Sequence, residues 1–158
     1  MDRSAIERFA SSARTQLMRD VEHRLHELGL SRDAGAVDPS QVTLDGKLLS
    51  PAQLKQRSAL ADRLRSSGHE QVVEQAAYTW FNRFAALRFM EVNGYLPGRL
   101  RVLSAAGADP RDARVRPDII RLATSALSVD ENLVREMRMA ADDEALYRYL
   151  LMVQCAEL

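Results

Sequence analysis

Residues 76–96 read AAYTWFNRFAALRFMEVNGYL, and this stretch decides the fold. It holds the chain's only Trp, three of its four Phe and two of its four Tyr, with Arg83 and Arg88 interleaved. At helical spacing Ala77, Trp80, Phe81, Phe84, Leu87 and Met90 share one face. Val73 lies a turn earlier, and Gly94 follows as a C-terminal stop. The pattern predicts a helix over 70–93 that buries its apolar stripe and sits at the centre of the fold. A core stripe is a sufficient account of these aromatics, so base stacking is not needed to explain them.

Outward from this helix, the same periodicity recurs in both directions. Ile6, Phe9, Ala13, Leu17, Val21, Leu25 and Leu28 predict an amphipathic first helix over 4–28 that lies on a core, ended by Gly29. Residues 29–50 carry Gly35, Asp38-Pro39 and Asp45-Gly46 and read as irregular, with a small hairpin over 42–49 around Asp45-Gly46. Ser50-Pro51 reads as an N-cap with proline in the first turn, opening a helix to about Ser66 whose apolar face is Leu54, Leu60, Ala61 and Leu64.

On the other side, residues 94–113 form a loop in which Arg101–Leu103 is expected to be briefly extended. Helices are then predicted from Pro117 to Leu127, from Glu131 to Ala140, and from the acidic start Asp142-Asp143-Glu144 to the chain end. The last presents Leu146, Tyr149, Leu150 and Val153 on one face. The sum is an all-α fold, an irregular bundle of about six helices. A final helix still apolar where the sequence stops either packs back on the first helices or belongs to a longer chain. The second is favoured, so residues 1–158 are taken as a single helical domain cut from a larger protein.

The 158 residues suffice for a real core. Hydrophobic residues make up 46% and charged residues 28%, which excludes a disordered chain. Lys+Arg and Asp+Glu both number 22, so net charge names no partner. Its distribution is more informative. Residues 51–101 carry eight basic and four acidic side chains, residues 130–158 three and seven, as expected of oppositely charged ends or simply of solvated helix faces. Only Lys47 and Lys55 are lysines. The single cysteine, Cys155, precludes an internal disulfide and reads as a small buried hydrophobe. No apolar run approaches the roughly 18 residues that cross a membrane, and MDRSAIERF has no signal-peptide core, so a cytoplasmic location is expected.

No catalytic constellation is found. His23 and His26 are three apart on one helix, a spacing able to chelate, but with no HExxH and no second Cys they read as a solvated face. There is no GxSxG, no GxxxxGK[ST] and no GxGxxG. Nothing in the sequence assigns a catalytic, metal or cofactor residue. For nucleic acid, Arg83 and Arg88 on the aromatic helix and Arg99, Arg101, Arg111, Arg114 and Arg116 after it could engage phosphates. Arg83, Arg88, Arg99 and Arg101 are the candidates.

Four elements in Gln75–Ser104 resemble a known family: Ala77-Tyr-Thr-Trp-Phe-Asn-Arg-Phe84, Arg88-Phe-Met-Glu91, Asn93-Gly-Tyr-Leu96 and Arg101-Val-Leu-Ser104. They are similar to the N-terminal helical region of the BREX-type phage-defence adenine-specific DNA methyltransferases, the PglX family. Glu144-Ala-Leu-Tyr-Arg-Tyr-Leu-Leu-Met-Val-Gln-Cys155 resembles a second block of that region. The resemblance implies a large enzyme that methylates adenine N6 with S-adenosylmethionine inside a multi-protein defence system. The family's methyl-donor glycine motif and its Asn/Asp-Pro-Pro-aromatic motif have no counterpart here, since Pro39, Pro51, Pro97, Pro110 and Pro117 are never adjacent. Methyl transfer would then reside downstream of Leu158. The implied role is a non-catalytic support of the core, with DNA or a defence partner as its contacts. The alternative is a free-standing helical module that binds another protein through Asp130–Leu158.

Overall fold

A computed structural model describes residues 3–32, 42–44, 46–109 and 115–157. Six α-helices occur among them: α1 (Arg3–Glu27), α2 (Pro51–Ser67), α3 (His69–Val92), α4 (Asp118–Ala126), α5 (Glu131–Met139) and α6 (Asp143–Glu157). The fold is all-α. The β structure among the described residues is a hairpin, β1 (Thr43–Leu44) with β2 (Lys47–Leu48), in the register Thr43↔Leu48 and Leu44↔Lys47. The chain divides into two compact units, Met1–Asn82 and Arg83–Leu158, and the division falls inside α3.

Local chemistry sets the helix ends. Ser50 Oγ accepts from Gln53 N while Gln53 Oε1 accepts from Ser50 N, a reciprocal capping box with Pro51 in the first turn. α1 ends in a Schellman turn: Gly29 takes φ +65°, Leu30 N donates to Leu25 O at 2.8 Å and Gly29 N to His26 O at 2.9 Å. Leu25 and Leu30, brought together by that turn, are both buried and form the first unit's core with Ala61 and Val73. Arg57 is buried against the same turn and donates from Nε to Leu28 O at 2.9 Å, so α2 supplies the cation that closes the end of α1.

In the second unit, α6 packs on α4 and α5. Ile119, Val134, Leu146 and Leu150 are fully enclosed. Asp142 serves both sides of the α5–α6 corner. Its N donates to Met137 O (3.2 Å) after Ala141 has taken φ +53°, and its side chain caps Ala145 N at 2.9 Å. Gln154 is fully buried on α6, and neither atom of its amide has a hydrogen-bond partner among the described residues.

Several expectations need correction. The first helix forms, but it buries only Leu25, while Met18, Val21 and Leu28 pack at the core edge. Ile6 and Phe9 are exposed, so the apolar spacing of the first turns does not mark a buried face. On α3, Val73, Ala77 and Leu87 are enclosed, whereas Trp80, Phe81, Phe84 and Met90 are half-buried and Tyr78, Phe89 and Val92 are exposed. Apolar residues occupy nearly every angular position on this helix, so spacing alone did not single out the buried side. Arg101–Leu103 forms no strand. A short 3-10 turn, Pro97–Arg99, precedes it, and the loop is instead tied down by side chains. Cys155 is half-buried rather than enclosed. Residues 33–41 of the stretch expected to be irregular, and the arginines Arg111 and Arg114, lie outside the described residues.

Candidate nucleic-acid interface

All four candidate arginines belong to the second unit, around the C-terminal end of α3 and the loop that follows. At the centre of this region is Glu91, whose side chain is 0% exposed. It lies one helical turn after the enclosed Leu87, on the same side of α3. A carboxylate there must be hydrogen-bonded or the burial is unaffordable. Leu103 N donates to Oε2 at 2.7 Å, and Ser104 Oγ and Arg88 Nη1 donate to Oε1 at 2.5 and 2.6 Å. Burial on its own would raise the carboxyl's pKa. The Ser104 hydroxyl, the backbone N–H groups of Leu103 and Val102, and Arg88 together outweigh it and hold the group below the ordinary glutamate value.

Ser104 completes the network. Its hydroxyl donates once, to Glu91, and accepts twice, from Arg88 Nη1 at 3.3 Å and Arg101 Nη1 at 3.4 Å. Its carbonyl accepts from Asp118 N at 3.1 Å, while Asp118 Oδ2 accepts from Ala106 N at 2.9 Å. Ile119 N reaches Arg101 O at 3.0 Å. From the far side, Tyr147 Oη donates to Val102 O at 3.2 Å, and burial, with Glu91 and Cys155 nearby, raises the pKa of this phenol. Residues 101–106 are thus clamped by α3, α4 and α6.

The four candidates fare differently within this frame. Arg88 and Arg101 are brought together at Ser104, where their hydrogen bonds go to the protein itself. Arg83 is exposed, and its charge acts on Cys155, whose thiol is nonetheless pushed up by burial. Arg99 is exposed and takes φ +54°. Of the other loop arginines, Arg116 pairs with Asp143 Oδ2 at 2.6 Å.

Sequence reasoning missed Glu91 and Ser104 as functional organisers. The available signal was a lone carboxylate inside the apolar run Phe89-Met90-Glu91-Val92, four residues after a core leucine. Of the histidine pair, His23 is solvent-exposed with Nε2 3.5 Å from Glu27, and His26 is exposed. An open groove of about 1040 Å³ lies between α1 and α3 in the first unit, lined by Ala10, Arg14, Tyr78 and Phe81 among others. Its one charged pair, Arg14–Glu74, is already internally matched. No described helix is long and apolar enough to cross a membrane.

Comparison with known proteins gives this region its context. No protein-family profile matches the chain. It is 33% identical over 165 residues to an adenine-specific methyltransferase PglX of Lacticaseibacillus casei (strain Zhang), a match that takes in 90% of the chain and 13% of that protein. It is 34% identical over 167 residues to an adenine-specific methyltransferase BrxX of Escherichia coli O9:H4 (strain HS), covering 100% of the chain and 14% of that protein. The chain therefore spans about one seventh of the length of the curated relatives it matches. The blocks that carry the resemblance also meet in space, through the Glu91–Ser104 pair within the first block and the Tyr147–Val102 bond between the two. Over 90–100% of its length, the chain is thus similar to a short segment of two adenine-specific methyltransferases, PglX and BrxX.

Proposed function

We propose that this chain is the N-terminal, non-catalytic helical domain of an adenine-specific (N6) DNA methyltransferase of a BREX-type phage-defence system. On this reading it acts in the cytoplasm, supports a downstream methyltransferase core and contacts DNA or a defence partner. One observation carries the reading: similarity takes in 90–100% of the chain but only 13–14% of each relative. The residues present do not fit S-adenosylmethionine. The glycines among the described residues, at 29, 46, 68, 94, 98 and 107, all take positive φ at separate turns, and no contiguous glycine loop is available to cradle the donor. No methyl-transfer step is therefore assigned to this chain.

What these residues supply is rigidity. The Glu91 network fixes the loop after α3 with hydrogen bonds from three directions, which suits a surface that holds a partner or a duplex in register. The test is methylation in cells. N6-methyladenine in DNA is measured by mass spectrometry from cells carrying the full-length gene, the gene lacking codons 1–158, and codons 1–158 alone. Methylation by the full-length gene only is the expected result. Methylation by codons 1–158 alone, or full methylation by the shortened gene, would overturn the proposal.

A further inference from the structure

The geometry points to a DNA-contacting patch made of Phe89, Tyr95 and Arg99, in which Arg99 meets a backbone phosphate and the two rings pack on the adjoining sugar and base. This rests on the reading of the parent protein as a DNA methyltransferase. Tyr95 follows the Schellman turn that ends α3, with Gly94 at φ +69° and Tyr95 N donating to Met90 O at 2.8 Å. That turn folds the Tyr95 ring back on Phe89, edge to face, with centroids 5.9 Å apart and planes at 66°.

The cap explains why the rings meet. It does not explain why Phe89 stays 61% exposed and Tyr95 63%, with Val92 exposed between them. Arg99 stands beside this surface. Its side chain lies over Gly94, where a Cβ would come within 3.9 Å of Arg99 Cγ and 4.0 Å of Nε. Its backbone is held at φ +54°, a region costly for any residue with a side chain. The flanking Leu96 and Leu100 are buried and hydrogen-bonded through the 3-10 turn, so the position is rigid.

Charge selects the occupant. Between residues 83 and 101 there are four arginines and one acid, and that acid, Glu91, is enclosed and already matched. Arg88 is paired with Glu91 and Arg101 is hydrogen-bonded to Ser104, so Arg99 is the exposed cation beside the bare rings, with no exposed acid between residues 83 and 101 to oppose a phosphate. Among the described residues the Arg99 guanidinium makes no ion pair. An apolar protein partner would desolvate that cation without matching it, at a net cost.

The test is fluorescence anisotropy of a labelled DNA duplex with the full-length protein between 50 and 200 mM salt. Arg99→Gly removes the cation and suits the positive φ, so its fold is preserved. Phe89→Ala/Tyr95→Ala removes the rings, and Arg135→Ala on α5 is the control, with circular dichroism checking each variant. Arg99→Gly should weaken binding several-fold and lower the slope of log affinity against log salt by about one. The double variant should weaken binding several-fold at an unchanged slope, because ring contacts with sugar and base edges carry no charge. Folded variants that match wild type in affinity and slope, or a wild type that does not bind at 50 mM salt, would overturn the patch. Methyl transfer to adenine is read on the same preparations: if it persists while the variants bind normally, the patch fails and the parent's reading stands. If the wild type methylates no DNA, the parent's reading fails.

Discussion

Glu91→Gln is the most informative substitution in the second unit, because it keeps the shape of the side chain and removes only its charge and one acceptor. The carboxylate accepts from Leu103 N, Ser104 Oγ and Arg88 Nη1 at 2.7, 2.5 and 2.6 Å. A hydrogen bond to a charged group contributes about 1.5–3 kcal/mol. In a glutamine the less costly orientation keeps the oxygen toward Ser104 and Arg88, which sets the amide nitrogen against Leu103 N–H. One bond is then lost to a donor–donor clash, the Ser104 bond falls to neutral strength and the Arg88 bond keeps only the charge of its donor, for a loss of about 3 kcal/mol. That is a large part of the roughly 5–15 kcal/mol available to a domain. Urea unfolding followed by far-UV circular dichroism gives the total. Amide exchange at Leu103 gives the local effect, and should accelerate more than exchange at Val134. The dependence on pH has a definite sign. A carboxyl held below its ordinary value of 4.5 contributes stability above that value and loses it as pH falls through the lowered one. The gap between wild type and variant should thus be full at pH 7 and shrink below about pH 4.5. A loss under 0.5 kcal/mol with normal Leu103 protection, or a gap that widens in acid, would refute the reasoning.

Three further substitutions probe separate features. Arg57→Ala removes the buried cation that closes the end of α1 and should lower stability by about 2 kcal/mol, with faster amide exchange at Gly29 and Leu30. Ala141→Gly relieves a positive φ at the α5–α6 corner and should raise stability by about 1 kcal/mol in urea unfolding; a loss would mean the left-handed residue is not strained. Gln154→Met replaces an enclosed amide whose polar atoms have no partner among the described residues. It should be neutral or stabilising by about 1 kcal/mol, and a clear drop in thermal midpoint would show that the amide is engaged.

Helix limits were legible because they depend on neighbours in sequence. Gly29 and Gly94 supply positive φ, and Ser50, Pro51 and Gln53 complete their cap within four residues. Burial was less legible. Ile6 and Phe9 repeat at the same spacing as Leu25, yet only Leu25 meets Leu30, Ala61 and Val73, and those contacts come from other parts of the chain. The arginines show the same limit. Arg88, Arg99 and Arg101 look equivalent in sequence, but a serine 16 residues after Arg88 takes hydrogen bonds from two of them and not from the third. Ser104 and Glu91 are 13 residues apart in chain and in direct contact in space, a pairing that no local pattern encodes.

The central claim is that these residues are the supporting part of a longer methyltransferase, and the reading frame of the gene tests it most directly. Sequencing through codon 158 should find the frame open, continuing into a glycine-rich methyl-donor motif and an Asn/Asp-Pro-Pro-aromatic motif. A stop codon directly after Leu158, or a long continuation with neither motif, would contradict the account.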